Sequence, residues 1–160
     1  MKVEIERNGC IREMQNNINN VIKKIKKIII ENNDNSLFEI EEELEKIENI
    51  NMLNKDIITE FLFLYEKNPD FDFGMPGALT HFLEKFYGNG YEEKLLKSIK
   101  RQPTKHTLWM LNRVINGTCS DEIKKSYIQE MYLIAKNNKL NISLRNLANE
   151  YIKFAHITPS

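Results

Sequence analysis

The sequence predicts an all-α fold of about eight helices in antiparallel hairpins, either a HEAT-like stack or an irregular α-bundle. Three observations lead there. Apolar residues recur at spacings of three and four along most of the chain, the period of a helix with one buried face. No stretch sustains the period-two alternation of a half-buried strand; Val3 and Ile5 give the only hint, and it is too short to count. Short clusters of turn residues (Asn33-Asp34-Asn35, Asn68-Pro69, Gly88-Asn89-Gly90, Gln102-Pro103) separate these segments, and short links join antiparallel neighbours.

In chain order, Ile11, Met14, Ile18, Val21, Ile25 and Ile28 form one stripe from about Cys10 to Glu31, with Lys23, Lys24, Lys26 and Lys27 opposite. Residues 1–8 are expected to form a loosely ordered lead-in. The stripe suits either packing within the domain or a homodimer seam through helix 10–31. Ser36 followed by Glu39 reads as a capping box opening a second helix through about Asn49. A third helix, about Lys55–Lys67, is apolar over most of its circumference and should be central. Asn68-Pro69 stops it. The irregular segment Asp70–Gly77 should be an ordered loop, because Phe71 and Phe73 need apolar surroundings.

Pro76 suits a first helical position before a helix over Ala78–Phe86. A fifth helix, Tyr91–Arg101, rests on Leu95, Leu96 and Ile99. Thr104 caps a sixth that runs to Asn116 and closes at Gly117. Ser120 caps a seventh to about Asn137, with Asp121 and Glu122 complementing its dipole. Ser143 opens the last, which carries Leu144, Leu147, Tyr151 and Phe154. Pairing the helices in order gives hairpin starts near 10, 54, 90 and 120, intervals typical of helical repeats, although internal sequence similarity is poor.

The 160 residues, 41% of them hydrophobic, fit a single domain with its own core. Lys plus Arg and Asp plus Glu number 23 each, so the chain lacks the basic excess usual in nucleic-acid binders. Neutrality conceals segregation. Residues 31–72 hold thirteen acids against three bases, a net of −10, and the remainder carries +10. Cys10 and Cys119 are far apart and lack metal-ligand spacing, so both are expected to be reduced thiols. The opening MKVEIERNGC lacks the apolar core of a signal peptide, and no apolar run suffices to span a bilayer. The expectation is a soluble cytoplasmic protein without membrane contact.

Catalytic chemistry finds little support, and no catalytic residue, metal or cofactor is assigned. His81, His106 and His156 occupy no zinc-protease or paired-ligand spacing. His81 and Glu84, three apart, are either two metal ligands or a hydrogen-bonded surface pair, and a metal site would need more ligands. Gly74-Met-Pro-Gly77 matches no phosphate loop, since no Lys-Ser/Thr follows it.

Two constellations suggest binding instead. In the second helix, Ile40, Leu44 and Ile47 define the buried stripe, which turns Glu41, Glu42, Glu45 and Glu48 outward. These are either a solvated face or, with Asp70 and Asp72, a patch that docks on a basic partner. The sixth helix is apolar nearly all round, so Trp109, Asn112 and Arg113 should lie close to the core. A partly buried Arg113 needs carboxylates such as Asp70, Asp72 or Glu84. Asn112, Arg113 and Glu84 then either clamp the Asp70–Gly77 loop, or Trp109 and Arg113 form an exposed interaction anchor.

The stretches Asp72-Phe-Gly-Met-Pro-Gly-Ala-Leu-Thr-His-Phe-Leu-Glu84 and Arg101-Gln-Pro-Thr-Lys-His-Thr-Leu-Trp-Met-Leu-Asn-Arg-Val-Ile-Asn116 resemble small all-helical immunity proteins of bacterial polymorphic or contact-dependent growth-inhibition toxin systems. The resemblance implies a cytosolic antidote that binds a cognate toxin domain, often a nuclease with a basic groove, and blocks it. It carries over no catalytic residues. The alternatives are a helical-repeat nucleic-acid protein, with Lys94, Lys97, Lys100, Arg101 and Lys105 as a phosphate-contacting stripe, or a generic helical adaptor. The balanced charge weighs against nucleic acid.

Overall fold

The computed structural model describes residues 2–48 and 56–155, with side chains at residue 4 and from residue 7 on. Within these residues the protein is all-α, with eight helices and no strand. They are α1 (Lys2–Glu31), α2 (Ser36–Glu45), α3 (Asp56–Lys67), α4 (Ala78–Glu84), α5 (Tyr91–Arg101), α6 (Lys105–Gly117), α7 (Asp121–Lys136) and α8 (Ile142–Phe154). α2 ends at Glu45 and a turn follows over residues 46–48, short of the expected end near Asn49; Asn49 itself, the expected α3 start at Lys55, and His156 lie outside the described residues. Where one domain is expected, the chain groups into two compact units. One is Met1–Leu64 with Asp70–Tyr91, the other Tyr65–Pro69 with Glu92–Ser160.

In the first unit α1 pairs with α2, and α2 with α4. α1 starts at Lys2, so the expected loose lead-in is helical, with Glu4 in the first turn where it complements the dipole. The N-terminal end of the stripe is not buried. Ile18, Val21, Ile22, Ile25, Ile28 and Ile29 are buried, whereas Ile11 is 50% exposed. A chain-internal core therefore claims the part of α1 from Ile18 on.

The Ser36 capping box does not form. Asn35 takes the N-cap position without a side-chain bond, and Ser36 Oγ accepts the Asn33 N–H at 2.9 Å. Its oxygen is spent on the preceding turn. α3 is as apolar as expected, with Ile57, Ile58, Phe61, Leu62 and Leu64 buried. Phe61 meets Phe82 of α4 at a centroid separation of 5.1 Å, and Phe82 meets Phe86 at 5.9 Å.

The Asp70–Gly77 loop is ordered by its own chemistry. Phe71 and Phe73 are buried and pack edge to face at 4.7 Å. Asp72 Oδ1 accepts the Gly74 N–H at 2.9 Å, closing a turn in which Gly74 holds φ +80°. A Cβ on Gly77 would collide with the Phe73 carbonyl oxygen. Gly77, not Pro76, adjoins the helix, as the N-cap of α4, and the Met75–Pro76 peptide is cis. α4 ends at Glu84, one half-turn before the expected Phe86.

In the second unit α6 packs against both α7 and α8, which also pair with each other. α6 buries Leu108, Met110, Leu111, Val114 and Ile115 together with His106 and Thr107. Its N-terminus is a reciprocal box: Thr104 Oγ1 accepts from Thr107 N–H at 3.2 Å, and Thr107 Oγ1 accepts from Thr104 N–H at 2.9 Å. Gly117 is the last helical residue, and the Thr118 hydroxyl donates to the Val114 carbonyl at 2.6 Å. Ser120 caps α7 as expected, but Asn141 rather than Ser143 caps α8, through Leu144 N–H at 2.9 Å. Ala148 is the buried residue of α8, Leu144, Leu147 and Tyr151 are half-buried, and Phe154 is 70% exposed.

Candidate functional site

The acidic face of α2 follows directly from its apolar stripe. Ile40, Leu44 and Ile47 are buried, which leaves Glu41, Glu42, Glu45 and Glu48 exposed, as the sequence periodicity requires. α2 and α4 enclose a groove of about 210 Å³. Its α2 wall carries Glu41, Glu45 and Glu48; Leu44, Ala78 and Phe82 give it apolar lining; His81 and Lys85 stand on the α4 wall. Lys85 Nζ lies 2.7 Å from Glu48 Oε1 and 6.0 Å from the centroid of the Phe82 ring. His81 Nδ1 sits 3.4 Å from Glu84 Oε2, the surface pair that the sequence offered as one reading of these residues. The carboxylates of Glu41 and Glu45 form no ion pair or hydrogen bond with any described residue.

Behind this face lies a carboxylate of different character. Glu43 is 12% exposed and draws in two lysines, Lys24 of α1 at 3.5 Å and Lys46 within hydrogen-bond distance. That hydrogen bond lifts the Lys46 ammonium above its ordinary pKa, overcoming a smaller opposing effect of desolvation. Glu43 thus ties α2 to α1.

Asp70 and Asp72 are exposed but do not line the groove, and Asp72 is engaged in its own loop. Of the two arrangements expected for Arg113, the exposed one is found: its guanidinium lies 4.9 Å from the ring of the half-buried Trp109. One turn of α6 separates the two, a spacing that permits a cation–π contact. Asn112 is half-buried beside them, and Glu84 is half-buried against His81.

The buried charge that the sequence reading missed is Glu66, at the end of α3. Its Oε1 accepts from the Ser98 hydroxyl at 2.6 Å and from Arg101 Nη2 at 2.7 Å, and Oε2 accepts from Arg101 Nε at 3.3 Å. A signal existed: an acid in the last turn of an apolar helix opposes the dipole and needs another reason to be there. The pair also takes Arg101 out of the proposed basic stripe. Lys97 pairs with Glu93, and Lys100 Nζ lies 3.0 Å from Glu130.

Among the described residues no group of three or more His, Cys, Asp or Glu is arranged to hold a metal ion, and no helix is long and apolar enough to cross a membrane. Cys10 and Cys119 are exposed free thiols. Fold and groove thus define an all-α protein with an acidic, apolar-lined groove. Compared with protein-family models, curated proteins and solved structures, the chain matches none.

Proposed function

We propose that the chain is an immunity protein that binds a cognate bacterial toxin domain in the cytoplasm and neutralises it by protein–protein contact, without catalysis. The resemblance over 72–84 and 101–116 suggests the class, and the observation that carries the mechanism is the outward face of α2. Glu41 and Glu45 stand exposed on α2, without a counter-ion among the described residues, beside an apolar-lined groove. Such a face suits a basic partner surface, and a nuclease substrate groove is one. The nucleic-acid alternative is less favoured, because carboxylates already match Lys97, Lys100 and Arg101 within the chain.

The test begins with the gene immediately upstream: the reading requires it to encode a large secreted protein with a variable C-terminal domain, and that domain is then co-purified with this chain and its activity measured in the complex. A stable, inactive complex is expected. Replacing Glu41, Glu42, Glu45, Asp70 and Asp72 together by alanine should weaken it at least tenfold, about 1.4 kcal/mol. Unchanged affinity would remove the acidic face from the mechanism, and no complex with the intact protein would end the antidote reading.

A further inference from the structure

We propose that the groove between α2 and α4 receives a single arginine side chain from the partner, its guanidinium between Glu41 and Glu45 and its stem against Leu44, Ala78 and Phe82; this rests on the protein-binding reading above. The groove's size is the first argument. At about 210 Å³ it is smaller than the roughly 300–1,000 Å³ of a small-molecule site, and one long side chain suits it better than a cofactor.

The second argument comes from Lys85, which already shows how this groove treats a cation. Its ammonium pairs with Glu48 at 2.7 Å while lying 6.0 Å from the Phe82 ring centroid. That contact neutralises one of the three carboxylates on the α2 wall. Glu41 and Glu45, four residues apart, share one face of α2, and Glu48 follows in the turn beyond its end, so all three carboxylates line the same groove. Among the described residues no base pairs with them; His81, the other basic group of the lining, pairs with Glu84.

Arginine fits better than lysine on chemical grounds. A planar guanidinium has five donors and can bridge two carboxylates, whereas an ammonium is a point charge that keeps more of its water. Its stem can lie on Leu44, Ala78 and Phe82 while the head stays at the acidic wall. A flat acidic helix would attract any cation equally, so the apolar lining is what makes the site selective.

The experiment titrates the full-length ¹⁵N-labelled protein with an acetylated, amidated hexa-arginine peptide, and separately with hexa-lysine. Amide shifts confined to 41–48 and 78–85 are expected, with arginine at least threefold tighter. Glu41→Gln with Glu45→Gln should weaken hexa-arginine binding about tenfold. Ala78→Met, which fills the apolar lining without changing charge, should do the same, whereas Asp34→Asn on the α1–α2 turn should leave it within twofold. Equal binding of the two peptides, undiminished binding by Ala78→Met with its thermal unfolding unchanged, or an equal loss from Asp34→Asn would overturn the proposal. Groove binding in a chain that fails to neutralise the toxin domain would sink the antidote reading alone. Neutralisation unaffected by filling the groove and removing its acids would sink the arginine site alone.

Discussion

Single residues here divide into those that periodicity places and those that only a partner places. Glu41, Glu45 and Glu48 are outward because Ile40, Leu44 and Ile47 are inward. Glu43 and Glu66 are not deducible this way, since each is held by a base on another helix. Glu66 makes the sharper case: a buried carboxylate is tolerated because Ser98 and the Arg101 fork satisfy both its oxygens. Removing the fork leaves the acid buried and underpaired. Arg101→Ala should therefore lower unfolding free energy by about 1–3 kcal/mol, toward the lower end because the Arg101 side chain is 40% exposed and water can enter. Glu66→Gln, which keeps an acceptor for Ser98, should lose less. Urea denaturation measures both, and an Arg101→Ala protein as stable as the parent would show that water already serves Glu66.

Among the elements, local chemistry made some ends legible and left others to their surroundings. α5 spans Tyr91–Arg101 as expected, and Thr104 and Ser120 cap α6 and α7 from the expected positions, because their partners are three residues away in sequence. At α2 the same type of signal misled, since Ser36 had a competing acceptor role toward Asn33. At α4 the close approach of Gly77 to Phe73 decides where the helix begins, and proximity across the loop is not written in local propensity. The α6 box predicts its own test. Thr104→Ala removes the acceptor for Thr107 N–H in a buried setting and should cost about 0.5–2 kcal/mol, whereas Thr104→Ser should be nearly neutral. Thermal unfolding distinguishes them, and equal losses would mean that methyl packing, not capping, matters at this position.

For the whole molecule, the decisive quantity is the distribution of charge rather than its total. A net of −10 over residues 31–72 within a neutral chain gives the protein a polarity that a basic partner can sense before contact. If the acidic segment steers association, the on-rate with the proposed toxin partner should fall at least tenfold between about 50 mM and 500 mM salt, as the Debye length shortens to a few ångströms. The off-rate should change little. Stopped-flow association at several salt concentrations reads this directly, and a flat on-rate would confine the carboxylates to short-range contacts.

Composition and periodicity alone determined that the described residues are all-α, where most of the helices lie, and that Glu41, Glu42, Glu45 and Glu48 turn outward. These are local consequences of a 3.6-residue period and of capping groups a few residues away. Tertiary structure alone decided that α1 buries its stripe only from Ile18 on, that Glu66 is held by Ser98 and Arg101, and that α4 stands opposite the acids of α2 with Lys85 already paired to Glu48. The reason is common to all three. Each depends on which surfaces meet across long stretches of chain, and a side chain's charge and period say which way it faces, not what it will find there.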